Sequence, residues 1–272
     1  MVAIIAEIGI NHNGDIDLCK KLIMLAKIAG CQYAKLQKRT PSICVPDAQK
    51  ELVKDTPWGK MTYLQYKERI EFTESQIEEL FIFAKEVGIK LFASVWDVPS
   101  VDMMCKYTKI GKIPSALVTN EKLCNYAREK FETLMISTGM CTEEEVLSLV
   151  KFKPNIVFHT NSQYPSSPNS LNLNYIKHLG EIFLEAEIGY SGHEETIYPT
   201  IAAVAMGAKI VERHITLDRN MWGSDHKASL IPEELFQLVK ACSEIDQATQ
   251  YPPGPRKLFD GELEKRKSLR GV

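Results

Sequence analysis

The stretch VAIIAEIG at 2–9, followed by IDLCKKLIMLAKIAG at 16–30 and YAKLQK at 33–38, decides the fold. Residues 2–8 form a compact apolar run of strand length. Residues 16–29 space Leu18, Leu22, Leu25, Ala26 and Ala29 at helical intervals, and Gly30 stops the helix. Residues 33–37 read as a second short strand. Strand, helix and strand in close succession predict a βαβ unit with parallel strands.

The same alternation runs outward along the chain. Strands are predicted at 90–94, 109–113, 133–137, 156–159, 187–190 and 209–214, and helices at 73–87, 101–107, 122–130, 142–150, 173–179, 197–206 and 232–246. Thr73 with Gln76, and Thr142 with Glu145, have the spacing of capping boxes. Eight strand–helix units in 272 residues predict an α/β protein with a single (β/α)8 TIM barrel as catalytic domain over 1–250, and a C-terminal tail over 251–272. A doubly wound open sheet is the alternative, and no G-x-G-x-x-G follows the first strand to support it. Two connections are long: 38–72, with Pro41, Pro46, Pro57 and Trp58, and 218–231. A loop as long as the first is expected to act as a lid or partner surface.

Composition narrows the function. A formal net charge of −2 without a basic run argues against nucleic acid. No apolar run approaches membrane-spanning length. The seven cysteines include no C-x-x-C pair, which fits free thiols in a reducing cytosol, and the N-terminus reads as a strand and not a signal peptide. A cytoplasmic enzyme is therefore expected.

In such a barrel the active site lies at the C-terminal strand ends. Those ends supply Glu7, with Asn11 and His12 beyond it; Lys35 and Gln37; Ser94; Lys112 and Ser115; Ser137 and Thr138; His159, Thr160, Asn161 and Ser162; Ser191 and His193; Glu212 and His214. Two lysines with several hydroxyls suit a phosphate. His193 and His214, from neighbouring strands, suit a divalent metal with room for water and substrate oxygens. Glu7 and Glu212 can hold a sugar or orient a histidine. Each residue has a plainer alternative: Lys35 as the ion-pair partner of Glu7, the serines as turn hydrogen-bonders, the histidines as core residues. His178 is expected to face solvent.

IIAEIGINHNGDIDLCKKLI at 4–23 resembles the start of sialic acid synthases, which make N-acetylneuraminate from phosphoenolpyruvate and N-acetylmannosamine. The resemblance continues through AKLQK at 34–38, PWGK at 57–60, STGM at 137–140, GYSGHE at 189–194 and MGAKIVERHITLDRNMWGSDHKASLIP at 206–232. It implies a metal-dependent condensation of phosphoenolpyruvate with N-acetylmannosamine or a related amino-sugar aldehyde. The products are a 2-keto-3-deoxy nonulosonic acid and phosphate, released by C–O cleavage. It implies His193 and His214 as ligands of Mn2+, ahead of Mg2+ or Co2+. Lys35, Ser94, Lys112, Ser115, Ser137, Ser162 and Ser191 fall at positions that grip phosphoenolpyruvate, Glu7, Gln37, Tyr164 and Asp225 at positions around the sugar, and Glu212 beside the metal. It also implies a homodimer. Two departures stand out. The chain is expected to lack the family's C-terminal antifreeze-like domain and the arginine that domain contributes, for which Arg39 is a local candidate. In KIPSALVTN at 112–120, Leu117 replaces an acidic residue expected near the sugar. The rival readings are a legionaminate or pseudaminate synthase, a Schiff-base aldolase using Lys35 or Lys112, and a non-catalytic barrel that binds phosphoenolpyruvate or sugar.

Overall fold

Inward and outward positions alternate along each strand, and this builds the site. The computed structural model describes residues 2–271. Eight parallel strands close into a barrel: β1 (Ala3–Gly9), β2 (Tyr33–Lys38), β3 (Lys90–Val95), β4 (Ile110–Ile113), β5 (Thr133–Ser137), β6 (Ile156–Thr160), β7 (Glu187–Gly192) and β8 (Ile210–His214). Each strand pairs with its sequence neighbour, and β8 pairs with β1 to complete the ring. The (β/α)8 barrel expected from the alternation is the fold, and the open sheet is excluded.

The helices are α1 (Ile16–Ala29), α2 (Glu74–Val87), α3 (Val98–Met104), α4 (Glu121–Lys130), α5 (Glu143–Ser148), α6 (Tyr175–Ile182), α7 (Tyr198–Ala205) and α8 (Pro232–Ala248). Both expected capping boxes form, at Thr73 and Thr142. Gly30 closes α1 in the left-handed conformation, at φ 93°. Outward residues such as Ile4, Ala6 and Ile8 pack against the helices in the main core. Inward residues Ile5, Phe92, Met135, Ile156, Phe158 and Ile210 form a separate apolar cluster, the floor of the barrel. Past that floor the inward positions turn polar: Glu7, Lys35, Ser94, Lys112, Ser137, Ser191 and Glu212 are all buried.

Three regions depart from expectation. α3 starts earlier than predicted, because Asp97 accepts from the Ser100 amide at 2.7 Å and Pro99 fits the first turn. α6 is shifted later, to Tyr175–Ile182. The connection 38–72 is not an irregular loop. It contains two single-turn helices (Pro41–Cys44 and Asp47–Lys50), a hairpin (Val53–Thr56 with Gly59–Thr62) and a helix (Tyr63–Ile70) capped by Thr62 and Gln65. Tyr66 and Ile70 of this segment cluster with Ile10 and Trp222, which docks it beside the mouth, next to the loops after β1 and β8. In the tail, Asp260–Arg270 is helical and largely exposed. Among the described residues, no helix is long and apolar enough to cross a membrane.

Candidate active site

Four charges alternate above the apolar floor. Lys35 Nζ lies 2.9 Å from Glu7 Oε2 and 3.4 Å from Glu212 Oε1, and Lys112 Nζ donates to Glu212 Oε2 at 2.8 Å. Strand register explains the arrangement, since Glu7 is level with Lys35, Ser94 with Lys112, and Glu212 with Ser191. The plainer expectation for Lys35, an ion pair with Glu7, is met within the site itself. Gln37 donates to the second oxygen of Glu7 at 3.2 Å, and Ser191 donates to Glu212 at 3.2 Å. The Lys112 ammonium also lies 4.2 Å from the centre of the Phe158 ring, on the floor.

Burial sets the protonation states. It raises the Glu7 carboxyl above the usual range, and Lys35 only partly offsets this. Burial also opposes the charge on Glu212, but Lys112 and Lys35 outweigh it and hold that carboxyl at about 2. Burial pushes Lys112 down to about 8, against the pull of Glu212. Burial disfavours the Lys35 charge as well, yet Glu212 and Glu7 together raise its pKa.

Hydroxyls form the opposite wall. Ser115 Oγ accepts from the Gly139 amide at 3.0 Å. A Cβ on Gly139 would fall 2.3 Å from Ser162 Oγ and 2.8 Å from Ser115 Oγ, so only glycine lets both hydroxyls converge there. Of the fourteen candidate residues, thirteen line one cavity of about 230 Å3: Glu7, Lys35, Gln37, Ser94, Lys112, Ser115, Ser137, Ser162, Tyr164, Ser191, His193, Glu212 and His214. Asp225 does not line the cavity; its Oδ2 lies 4.0 Å from His214 Nδ1.

The two imidazoles sit with ring centres 5.5 Å apart, and the Tyr164 ring lies 3.9 Å from His193. Burial, with His214 nearby, pushes His193 to about 3, and burial pushes His214 to about 4, so both are neutral near pH 7. The Asn161 carbonyl can only accept, so the 2.6 Å contact places the proton of His193 on Nδ1 and leaves the Nε2 lone pair free. His214 Nδ1 is buried with no hydrogen-bond partner. Two neutral imidazoles fit a divalent cation. Charge balance agrees, because the two lysines and two glutamates cancel and leave no net charge to offset an anionic substrate. Among the described residues no group of three His, Cys, Asp or Glu side chains could hold an ion. An ion on this pair would take its remaining ligands from water and substrate, as an open site does.

Other strand-end residues do structural work. Asn11 Nδ2 donates to Ile215 O and Ser229 Oγ, and His12 stacks on Phe72. His159 bonds Leu171 O, and Thr138 Oγ1 donates to Phe158 O. Asn161 orients His193 through its carbonyl and does not line the cavity. His178 is half exposed and bonds Glu143. Leu117 packs against the main core while Ala116 lines the cavity, so the expected replacement of an acid at the sugar is met by a side chain turned away from it. Sequence reading did not single out Trp96, Pro114, Ala116 or Met140, which also line the cavity. Trp96 carried a signal, lying two residues beyond Ser94 and thus on the same face. Arg39 stacks on Trp96 at 4.1 Å and donates to Gln37 Oε1, which places its guanidinium near the cavity wall.

A closed parallel barrel with this charged, hydroxyl-lined mouth belongs to the class of (β/α)8 barrels with a polar site at the C-terminal strand ends. The particular family is also defined: a model described as the NeuB family matches residues 22–252, and the chain belongs to that family. N-acetylneuraminate-9-phosphate synthase of Homo sapiens is 38% identical over 92% of this chain and 71% of its own length. N,N'-diacetyllegionaminic acid synthase of Campylobacter jejuni is 35% identical over 90% of this chain and 76% of its own. The crystal structure of N-acetylneuraminic acid synthetase from Leptospira borgpetersenii, in complex with citrate, superposes with a TM-score of 0.86 at 30% identity, covering 99% of this chain and 92% of that one. The chain is thus a sialic or legionaminic acid synthase-like member of the family.

Proposed function

We propose that this chain condenses phosphoenolpyruvate with an acylamino-sugar aldehyde and water, giving a 2-keto-3-deoxy sugar acid and phosphate. The observation that carries this reading is the Glu7–Lys35–Glu212–Lys112 chain of ion pairs facing hydroxyls of five strand ends, beside two neutral imidazoles. Lys35, Lys112, Ser115 and Ser162 would hold the phosphate and carboxylate of phosphoenolpyruvate. A divalent ion, Mn2+ first, would be held by His193 and His214, and when bound it supplies positive charge that polarises the aldehyde carbonyl. Carbon 3 of phosphoenolpyruvate then forms a bond to the aldehyde carbon, whose oxygen ends as a hydroxyl. Positive charge develops at carbon 2, and ionised Glu212 favours it electrostatically. Water adds at carbon 2, and Glu7, with its raised pKa, accepts the proton that water loses. The adduct breaks its C–O bond to phosphate, which takes up the proton held by Glu7; the carbon 2 hydroxyl becomes the ketone, and its proton passes to the former aldehyde oxygen. Holding both substrates above a dry floor supplies the orientation. All seven cysteines are free thiols, which supports a reducing cytosol as the compartment.

The test is phosphate release from phosphoenolpyruvate with Mn2+, with and without a panel of acylamino sugars that includes N-acetylmannosamine, repeated with EDTA. Release that needs both sugar and metal is expected. Release that ignores the sugar, or none with any acceptor, would count against the condensation. Release that survives EDTA would remove the metal.

A further inference from the structure

Glu7 is held from both sides. Lys35 lies 2.9 Å from its Oε2, and Gln37 Nε2 donates to its Oε1 at 3.2 Å. An ionised Glu7 asks for that nitrogen. A protonated Glu7 does not, because its hydroxyl can donate to the amide oxygen as readily as its carbonyl accepts from the amide nitrogen. In the condensation proposed above Glu7 takes up a proton and gives it back, so the Gln37 amide meets both states. A Gln37 that turned over would accept the Glu7 proton on its own oxygen and hold it there.

Arg39 stands on the other side of that amide and donates through Nη2 to Gln37 Oε1. A guanidinium has five donors, no acceptor, and keeps its charge. It therefore tolerates only the oxygen of Gln37, whatever the state of Glu7. Arg39 is itself fixed. Its guanidinium stacks on the Trp96 ring at 4.1 Å, its Nε lies 3.5 Å from Glu71 Oε1, and the residue is 9% exposed. A plainer role for it is to pair with Glu71. That carboxylate already accepts from Lys38 at 2.8 Å, and Arg39 Nε makes no hydrogen bond to it, so the two-pronged fork of the guanidinium is not spent there. Trp96 lines the catalytic cavity and Arg39 does not, so Arg39 acts through Gln37 and not on the sugar. We propose that Arg39 is a positioning residue: braced on Trp96, it locks the Gln37 amide with its nitrogen towards Glu7, so that Glu7 stays oriented through the proton transfer and releases the proton it takes up. This rests on the condensation proposed above.

The experiment reads kcat and KM by phosphate release with Mn2+ and the best acceptor, and phosphoenolpyruvate affinity by calorimetry. It uses the wild type, Arg39→Met, Gln37→Met and the double variant. Arg39→Met leaves Lys38 on Glu71. It should lower kcat by about tenfold or more, as the loss of a hydrogen bond to a charged group does, with phosphoenolpyruvate affinity within about twofold of the wild type. An arginine that only braces the wall would weaken that binding too. The double variant should be no slower than Gln37→Met alone, since the lock has nothing left to hold. An unchanged kcat in Arg39→Met, a loss matched by weaker phosphoenolpyruvate binding, or losses that multiply in the double variant overturn the lock and leave the condensation standing. Neutron diffraction gives a readout free of turnover, because it tells amide nitrogen from oxygen. Glu7→Gln makes position 7 permanently neutral. In that variant Gln37 should keep its oxygen on Arg39, and in Glu7→Gln/Arg39→Met it should turn over or occupy both orientations. The same single orientation in both crystals removes the lock. The expected change keeps it, even where no acceptor turns over and the condensation falls. Should Arg39→Met not fold, Arg39→Gln replaces it throughout, because a neutral amide can donate or accept and selects neither orientation.

Discussion

At the scale of single residues, Gly139 is a sharp test of the phosphate reading, because it owes its identity to two hydroxyls and not to its own backbone. Gly139→Ala puts a methyl 2.3 Å from Ser162 Oγ, which forces a wall of the cavity apart. Overpacking of this kind costs about 1–3 kcal/mol, and it should appear as roughly ten- to hundredfold weaker phosphoenolpyruvate binding. Calorimetry showing wild-type affinity in this variant would remove Ser115 and Ser162 from the site. Lys112 gives a second test, through pH. Burial holds its pKa at about 8, so the free site carries this charge below pH 8 and loses it above. A bound phosphate raises that pKa. The dissociation constant for phosphoenolpyruvate should therefore stay flat below pH 8 and rise by up to about tenfold per pH unit above it, until the pKa of the complex is passed. Lys112→Met should bind weakly and show no such break; a break that survives in it belongs to another group. Most of these residues were legible because an inward strand end is where a barrel can keep charge. Gly139 was not, since its role is visible only once Ser115 and Ser162 meet across two loops.

Among the elements, β7, β8 and the start of α7 are tied together behind the histidines. Arg213, fully buried on the outward face between Glu212 and His214, lies 3.1 Å from Glu194 Oε1 and donates to Thr196 O and Thr200 Oγ1 at 2.9 and 3.0 Å. Glu194 also accepts from Tyr190 Oη at 2.9 Å and Thr200 Oγ1 at 2.7 Å. Each partner adjoins a candidate ligand, Glu194 following His193 and Arg213 preceding His214, so the pair fixes how the two imidazoles face each other. Removing one partner of a buried pair costs about 3–5 kcal/mol, whereas apolar replacement of both is often neutral. Arg213→Met should therefore lower Tm by roughly 10 °C, and Arg213→Met/Glu194→Leu should recover most of that. A single variant that melts like the wild type would leave the pair without structural weight. Strand alternation placed Arg213 outside the barrel, but nothing in ERH names a partner across a strand and a helix. The hairpin within 38–72 was hidden for the same kind of reason: four-residue strands with exposed side chains show no alternation to read. The barrel strands were legible because each buries one face against helices and the other against the floor.

For the molecule as a whole, the metal is best tested through stability, which separates binding from turnover. The closed barrel brings β7 and β8 together at fixed register, Glu212 level with Ser191, so the histidines at the ends of those strands meet only in the folded chain. An ion that binds this pair and not the unfolded chain stabilises the fold by mass action, about 2.7 kcal/mol at a hundredfold excess over its Kd. For a chain of this size that is an upward shift of several degrees in Tm, roughly 2–4 °C for each kcal/mol. Mn2+ should produce it in the wild type, and EDTA should reverse it. His193→Ala and His214→Ala each remove a buried ring, so their metal-free melting points will drop for packing reasons alone. What matters is the difference between melts with and without Mn2+, which should vanish in both variants. A His214→Ala chain that keeps the full Mn2+ shift would place the ion elsewhere, whatever its effect on activity.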